Sequence, residues 1–176
     1  MSHDVDRRVG QKLYFAHIHL RELEKLEELA SAGALPRQMA YTESFSFHLK
    51  GALNCYLAEI ASYYKVDTSP EQGLEPILLL LAHRGVVSPE LNELNALAAV
   101  HDSWVTRLNA FYRACNEGSG VRIESAKDDS RQHLPIIDLQ SSGEMEIILP
   151  DVIECARWLA AAEELIERQR QGMEQW

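Results

Sequence analysis

Apolar positions recur along most of this chain at alternating gaps of three and four, the spacing that lines up one face of an α-helix. Val9, Leu13, Ala16, Leu20 and Leu23 form the first such stripe, widened by Ile18, Leu26 and Leu29. Arg21, Glu22, Glu24, Lys25, Glu27 and Glu28 cover the opposite side, and a helix from about Asp4 to Ala32 is predicted. Gly33 suits its C-terminal stop, and Pro36 suits the first turn of the next helix.

That second helix spans roughly Arg37 to Lys65, with Phe45, Leu49, Ala52, Tyr56, Ile60 and Tyr63 on its stripe. Gly51 inside it costs about 1 kcal/mol against Ala, and its usual purpose is to let a neighbour come close. Ser69-Pro70-Glu71-Gln72 is a capping-box pattern. A short third helix follows, from about Leu74 to His83-Arg84, with Gly85 as its stop. Ile77 to Leu81 is apolar all round and predicts an element buried on several sides. Ser88-Pro89 opens a fourth helix to about Asn116, with a stripe of Leu91, Leu94, Ala98, His101, Val105, Leu108, Tyr112 and Cys115.

From Glu117 to about Leu149 the periodicity is lost. Gly118 to Arg131 reads as a loop, while Leu134–Leu139 and Glu144–Leu149 are β-prone runs around Gln140-Ser141-Ser142-Gly143, which suits a small hairpin. Pro150 and Asp151 open the last long helix, striped by Val152, Ala156, Leu159, Glu163 and Ile166. The expected fold is mainly all-α: an up-and-down bundle of four long helices with one extra short helix and a possible β-hairpin before the last. It forms a single domain over residues 1–176, with 117–149 as an insertion.

Composition changes this picture little. Apolar residues at 46% and charged residues at 25% are ordinary for a globular domain and argue against disorder. A net charge of −10 opposes nucleic-acid binding, which draws on Lys and Arg against phosphate. The nearest basic patch, Arg7, Arg8 and Lys12, is diluted by Asp4 and Asp6. Cys55, Cys115 and Cys155 are sparse and odd in number, as in reduced cytosolic thiols. The N-terminal segment lacks an apolar secretory core, and the longest apolar run, Ile77–Ala82, falls well short of the roughly 20 residues of a membrane span. A cytoplasmic protein without membrane contact is expected.

Candidate chemistry is thin. His17, His48 and His101 fall on or beside apolar stripes. In an up-and-down bundle each lies about 18–26 Å above one common end, so the three could meet near the midplane. Converging imidazoles can hold Zn²⁺ or Fe²⁺, and Glu163 on the last stripe could complete such a site. A histidine on an apolar face more often simply donates to a carbonyl or carboxylate. Tyr14, Phe45, Leu80 and Ala98 stand where the Glu of a Glu-x-x-His pair would be needed. Cys115 and Cys155 lie on stripes, as buried structural thiols do. No GxSxG, Walker-type, GxGxxG or HExxH pattern occurs. Trp176 needs cover, from its own bundle or from a second subunit.

The helical pattern bears an architectural likeness to the HEPN bundles, some of them RNases and others nucleotide- or partner-binding. The RxxxxH nuclease pattern is missing, however, since Arg84 leads to Pro89 and Arg107 to Tyr112. Histidine bundles of the DinB type need an HxxxH pair, and Leu97 and Val105 flank His101 at that spacing. QKLYFAHIHL, FHLKGALNCYLAEIASYY, SWVTRL and RWLAAAEELIERQRQ resemble a family of short, functionally uncharacterised proteins from pseudomonads and related bacteria. The resemblance implies a bacterial helical protein and supplies no catalytic residues. The leading expectation is a non-enzymatic protein-interaction or regulatory module. A metal- or small-ligand-binding bundle is the alternative, and a nucleotide- or RNA-binding bundle the weaker third.

Overall fold

A computed structural model of the chain describes residues 2–29, 34–67, 73–117, 121–122 and 147–174. Six helices carry it: α1 (Ser2–Leu29), α2 (Ala34–Tyr63), α3 (Leu74–His83), α4 (Pro89–Ala99), α5 (Trp104–Glu117) and α6 (Val152–Glu174). Two short strands, Val121–Arg122 and Ile147–Ile148, pair in parallel. Ile147–Ile148 falls inside the expected second hairpin strand, but its partner is Val121–Arg122. The expected first strand, Leu134–Leu139, lies outside the described residues, as do the capping-box segment Ser69–Gln72 and Trp176.

The apolar stripes form the core, as their spacing requires. Helix α1 runs antiparallel to α2, with Phe15 against His48 and His19 against both His48 and Tyr41. At one end Val9, Tyr56, Ile60, Ile77, Leu91 and Ile166 pack together. At the other, Ala16, Phe45, Leu49, Leu108, Phe111, Cys155 and Leu159 do. Leu13 and Trp104 touch both clusters and join them.

The expected fourth long helix is broken into α4 and α5 by Val100–Ser103. The break is chemically specified. Ser103 caps α5, its Oγ accepting from the Thr106 backbone N–H at 3.1 Å. The Thr106 hydroxyl in turn lies 2.8 Å from the Val100 carbonyl and 3.1 Å from that of Ala98, so it satisfies the frayed end of α4. Three-and-four spacing survives the corner, with Leu91, Leu94, Val105 and Leu108 all buried, but His101 sits on the turn and its side chain is 85% exposed.

Helix α3 also departs from expectation. Only Ile77 and Leu81 of its apolar run are buried, while Leu79 and Leu80 face outward. One flank of so short a helix reaches the bundle, where Leu74 and Leu78 pack partly against the core as well, and Leu79 and Leu80 lie on the other flank. Gly85 stops it as expected, at φ 68°, with Val86 N–H bonded to the Leu81 carbonyl and Gly85 N–H to that of Ala82. Gly51 meets its expected close neighbour in a side chain: a Cβ there would lie 3.2 Å from Cδ and Cε of Lys12 on α1.

A polar clamp fastens α6 to α2 and α4. Buried Tyr56 donates to Gln169 Oε1 at 3.0 Å, and Gln169 Nε2 donates to Glu93 Oε2 at 2.8 Å and to the Glu90 carbonyl at 3.2 Å. Arg168 grips Glu93 and Arg170 grips Glu59, both through two nitrogens. Tyr64 reaches Glu90 at 2.7 Å, and burial with that carboxylate pushes its phenol up to about 12. Tyr56→Phe strands a buried Gln169 oxygen and is expected to cost about 1–2 kcal/mol in denaturant unfolding. Arg168→Ala, at an exposed pair, is expected to cost under about 1 kcal/mol.

Candidate functional site

Where α2 and α5 run side by side in opposite directions, their outer flanks leave a groove. Its larger part, about 480 Å³, is lined by Lys50, Leu53 and Leu57 of α2, by Leu74 of α3, and by Leu94 and Ala98 of α4. Val105, Thr106, Asn109, Tyr112 and Arg113 of α5 complete it. A smaller part of about 260 Å³ continues past Tyr112 toward Glu43, Ser46, Phe47, Cys115 and Asn116. Tyr112 belongs to both. The size of the larger part lies within the roughly 300–1,000 Å³ of small-molecule pockets.

The antiparallel pairing sorts this cleft by polarity. Lys50 shares one end with Asn109, Tyr112 and Arg113, while Leu57, Leu74, Leu94 and Ala98 make the other. Lys50 is half-buried, and desolvation draws its ammonium below the usual lysine range. No acidic side chain among the described residues offsets that loss. The Thr106 hydroxyl is already committed to the α4 carbonyls, so Asn109 and Tyr112 are the neutral polar groups left to face a guest.

The residues singled out from sequence are dispersed. His17 Nε2 lies 2.7 Å from Glu163 Oε1, joining α1 to α6 at a partly exposed position. His48 belongs to an aromatic cluster with Phe15, Phe47 and His19; its ring and that of His19 stack at 5.2 Å and 9°. His101 points into solvent beside Asp102, so the expected meeting of His17, His48 and His101 does not occur. Among the described residues no group of three or more His, Cys, Asp or Glu side chains could hold a metal ion. Of the basic trio, Arg8 donates to Gln11, and the Lys12 ammonium lies over the Phe47 ring.

The thiols are quiet. Burial, with Glu43 nearby, pushes Cys115 up to about 11, and burial raises Cys55 and Cys155 as well. A thiol so shifted is a poor nucleophile at neutral pH. Lys50, Asn109 and Tyr112 escaped the sequence reading: Tyr112 is placed on an apolar stripe, and Lys50 and Asn109 are given no role. Ser46, Phe47, Leu53 and Asn54 occupy the places one helical turn from Lys50, so no carboxylate there neutralises it, though Lys12 and Lys65 share that pattern.

Fold and cleft together define a mainly helical protein with an open groove, whose larger part is lined by leucines and Ala98 on one side and by Lys50 and Arg113 on the other. The chain belongs to a family of unknown function, DUF6586, whose model matches residues 1–176. No curated protein and no solved structure matches it. No described helix is long and apolar enough to cross a membrane.

The stacked imidazoles make a pH prediction. Burial holds both His19 and His48 below the ordinary 6.5, with Glu22 opposing at His19, and Lys12, His19 and Arg8 adding to the effect at His48. Their Nδ1 atoms are buried without a hydrogen-bond partner. The folded state therefore prefers neutral rings, while the unfolded chain takes up protons near 6.5. Their contribution is fully present above that value and is lost as pH falls toward the depressed folded values. His48→Phe is expected to flatten the decline in thermal midpoint between about pH 7 and about pH 5. The drop at lower pH, where Glu93 loses the charge that Arg168 holds, stays unchanged.

Proposed function

We propose that this protein is a non-enzymatic binding module whose α2–α5 cleft takes up a small molecule with an extended apolar part. The observation that carries this reading is the joining of Leu53, Leu57, Leu74, Leu94, Ala98 and Val105 into one cleft of about 480 Å³. Filling it removes that apolar surface from water, at roughly 25 cal/mol per Å². The thiols are raised, and the polar groups nearest the apolar end hold backbone carbonyls, so the cleft suits binding rather than turnover.

A second reading, docking of a protein partner or a second copy, is favoured by a different place. Tyr14 and Phe47 are 58% and 51% exposed on α1 and α2, next to the Phe15–His48 cluster. Exposed aromatics of this kind are typical of protein interfaces. Binding through His17, His48, His101 and Glu163 to a metal draws no support from their separate positions. The net charge of −10 weighs against a nucleic-acid partner.

The neutral fluorophore N-phenyl-1-naphthylamine tests the first reading. Saturable fluorescence enhancement is expected, weakened at least about tenfold, or ~1.4 kcal/mol, in the cleft-filling variants Ala98→Phe and Asn109→Phe. Both variants are expected to keep the helical circular-dichroism spectrum, since neither position is in the buried core. Equal binding by wild type and both folded variants, or none by wild type, defeats the cleft reading.

A further inference from the structure

Resting on the cleft reading, we infer that the natural guest is a monoanion, an apolar chain ending in one carboxylate, and that Lys50 receives its acidic group. Three observations lead there. Lys50 lines the cleft at its polar end, opposite the leucines and Ala98 of the apolar end. It is half-buried, and among the described residues no carboxylate neutralises it. The arginines held in half-buried or clamped settings on α6 each have an acid: Arg170 has Glu59, and Arg168 has Glu93.

A cation withdrawn from water without a partner is unfavourable, and an incoming carboxylate repairs the deficit. One ammonium balances one charge. A dianionic phosphate would carry a second negative charge into a groove whose remaining nearby polar groups, Asn109 and Tyr112, are neutral. Arg113 stands exposed at the rim, where it can attract an anion without holding it in the cleft. Lysine is also the compact point charge suited to a single carboxylate, whereas a paired-nitrogen fork would favour phosphate.

The reach of the cleft sets the chain. Lys50 and Leu57 lie seven positions apart on α2, about 10 Å along the axis, and the apolar walls of α3 and α4 extend the path beyond Leu57. An acyl chain of medium length lies along such a path with its head at Lys50 and its tail against Leu74, Leu94 and Ala98.

Displacement of N-phenyl-1-naphthylamine by decanoate and by decan-1-ol, which share a chain length and differ in the head group, tests this. Decanoate is expected to displace the dye at a concentration at least about tenfold lower than decan-1-ol, the scale of one charge-assisted hydrogen bond. Lys50→Met keeps the unbranched apolar stem and removes the charge. It is expected to erase that preference, so that decanoate and decan-1-ol displace the dye at equal concentrations. Decyl phosphate is expected to bind no better than decanoate. Arg113→Gln is expected to weaken decanoate less than about threefold, as a rim charge does. Equal displacement by decanoate and decan-1-ol, a preference that survives in Lys50→Met, or tighter binding of decyl phosphate overturns the head-group assignment even while the dye still binds. Failure of the dye itself to bind overturns the underlying cleft reading instead.

Discussion

The buried Gln169 amide is the constraint on which the arrangement of the other helices turns. A lone amide inside an apolar end would be costly, and here its oxygen accepts from Tyr56 while its nitrogen serves Glu93 and the Glu90 carbonyl. Those partners sit on α2 and α4, so one side chain on α6 fixes the mutual position of three helices. Arg170–Glu59 and Arg168–Glu93 close around it. Pairs of this kind contribute little net energy where they are exposed, as Arg168–Glu93 is. With α4 held, α5 can only leave through the Val100–Ser103 corner and return along α2, and the groove is the space this return leaves open.

The stripes were readable because a packed helix repeats its contact every three or four residues, whatever it packs against. For the same reason they could not reveal the break at His101. The Leu94–Ala98–His101–Val105 spacing continues through the corner, while the signal that ends α4 is the hydroxyl pair of Ser103 and Thr106, a capping pattern lying within an apolar rhythm. Helix α3 misled in the opposite sense. An apolar run says what a segment would bury if covered, and Leu79 and Leu80 are exposed because only one flank of α3 meets the bundle. The midplane histidines failed on rotation: His17 and His48 share the height expected of them, but His17 meets Glu163 on α6 while His48 meets His19 on α1.

Lys50 was hidden for a related reason. Charged residues on helices are read as solvent-facing, and a lysine stem can lie along apolar surface while its head stays wet. Position alone does not separate that from a lysine drawn into a cleft, and neither does a missing carboxylate one turn away, which exposed Lys65 shares. The comparison with α6 is instructive, since its Arg168 and Arg170 each face an acid across a helix boundary.

Two kinds of desolvated base coexist in the molecule, and they differ in what their burial can do. The His19–His48 stack lies in an aromatic cluster between α1 and α2, so its depressed basicity is a property of packing and registers as stability. Lys50 lines an open cleft, so its cost can be relieved from outside by something that enters. A group whose unfavourable state is cured only by a visitor confers selectivity as well as affinity, because a neutral guest of the same shape leaves the cost in place. The antiparallel course of α2 and α5 would then decide the orientation of such a guest, since Lys50 and Leu57 stand seven positions apart along one wall of the groove.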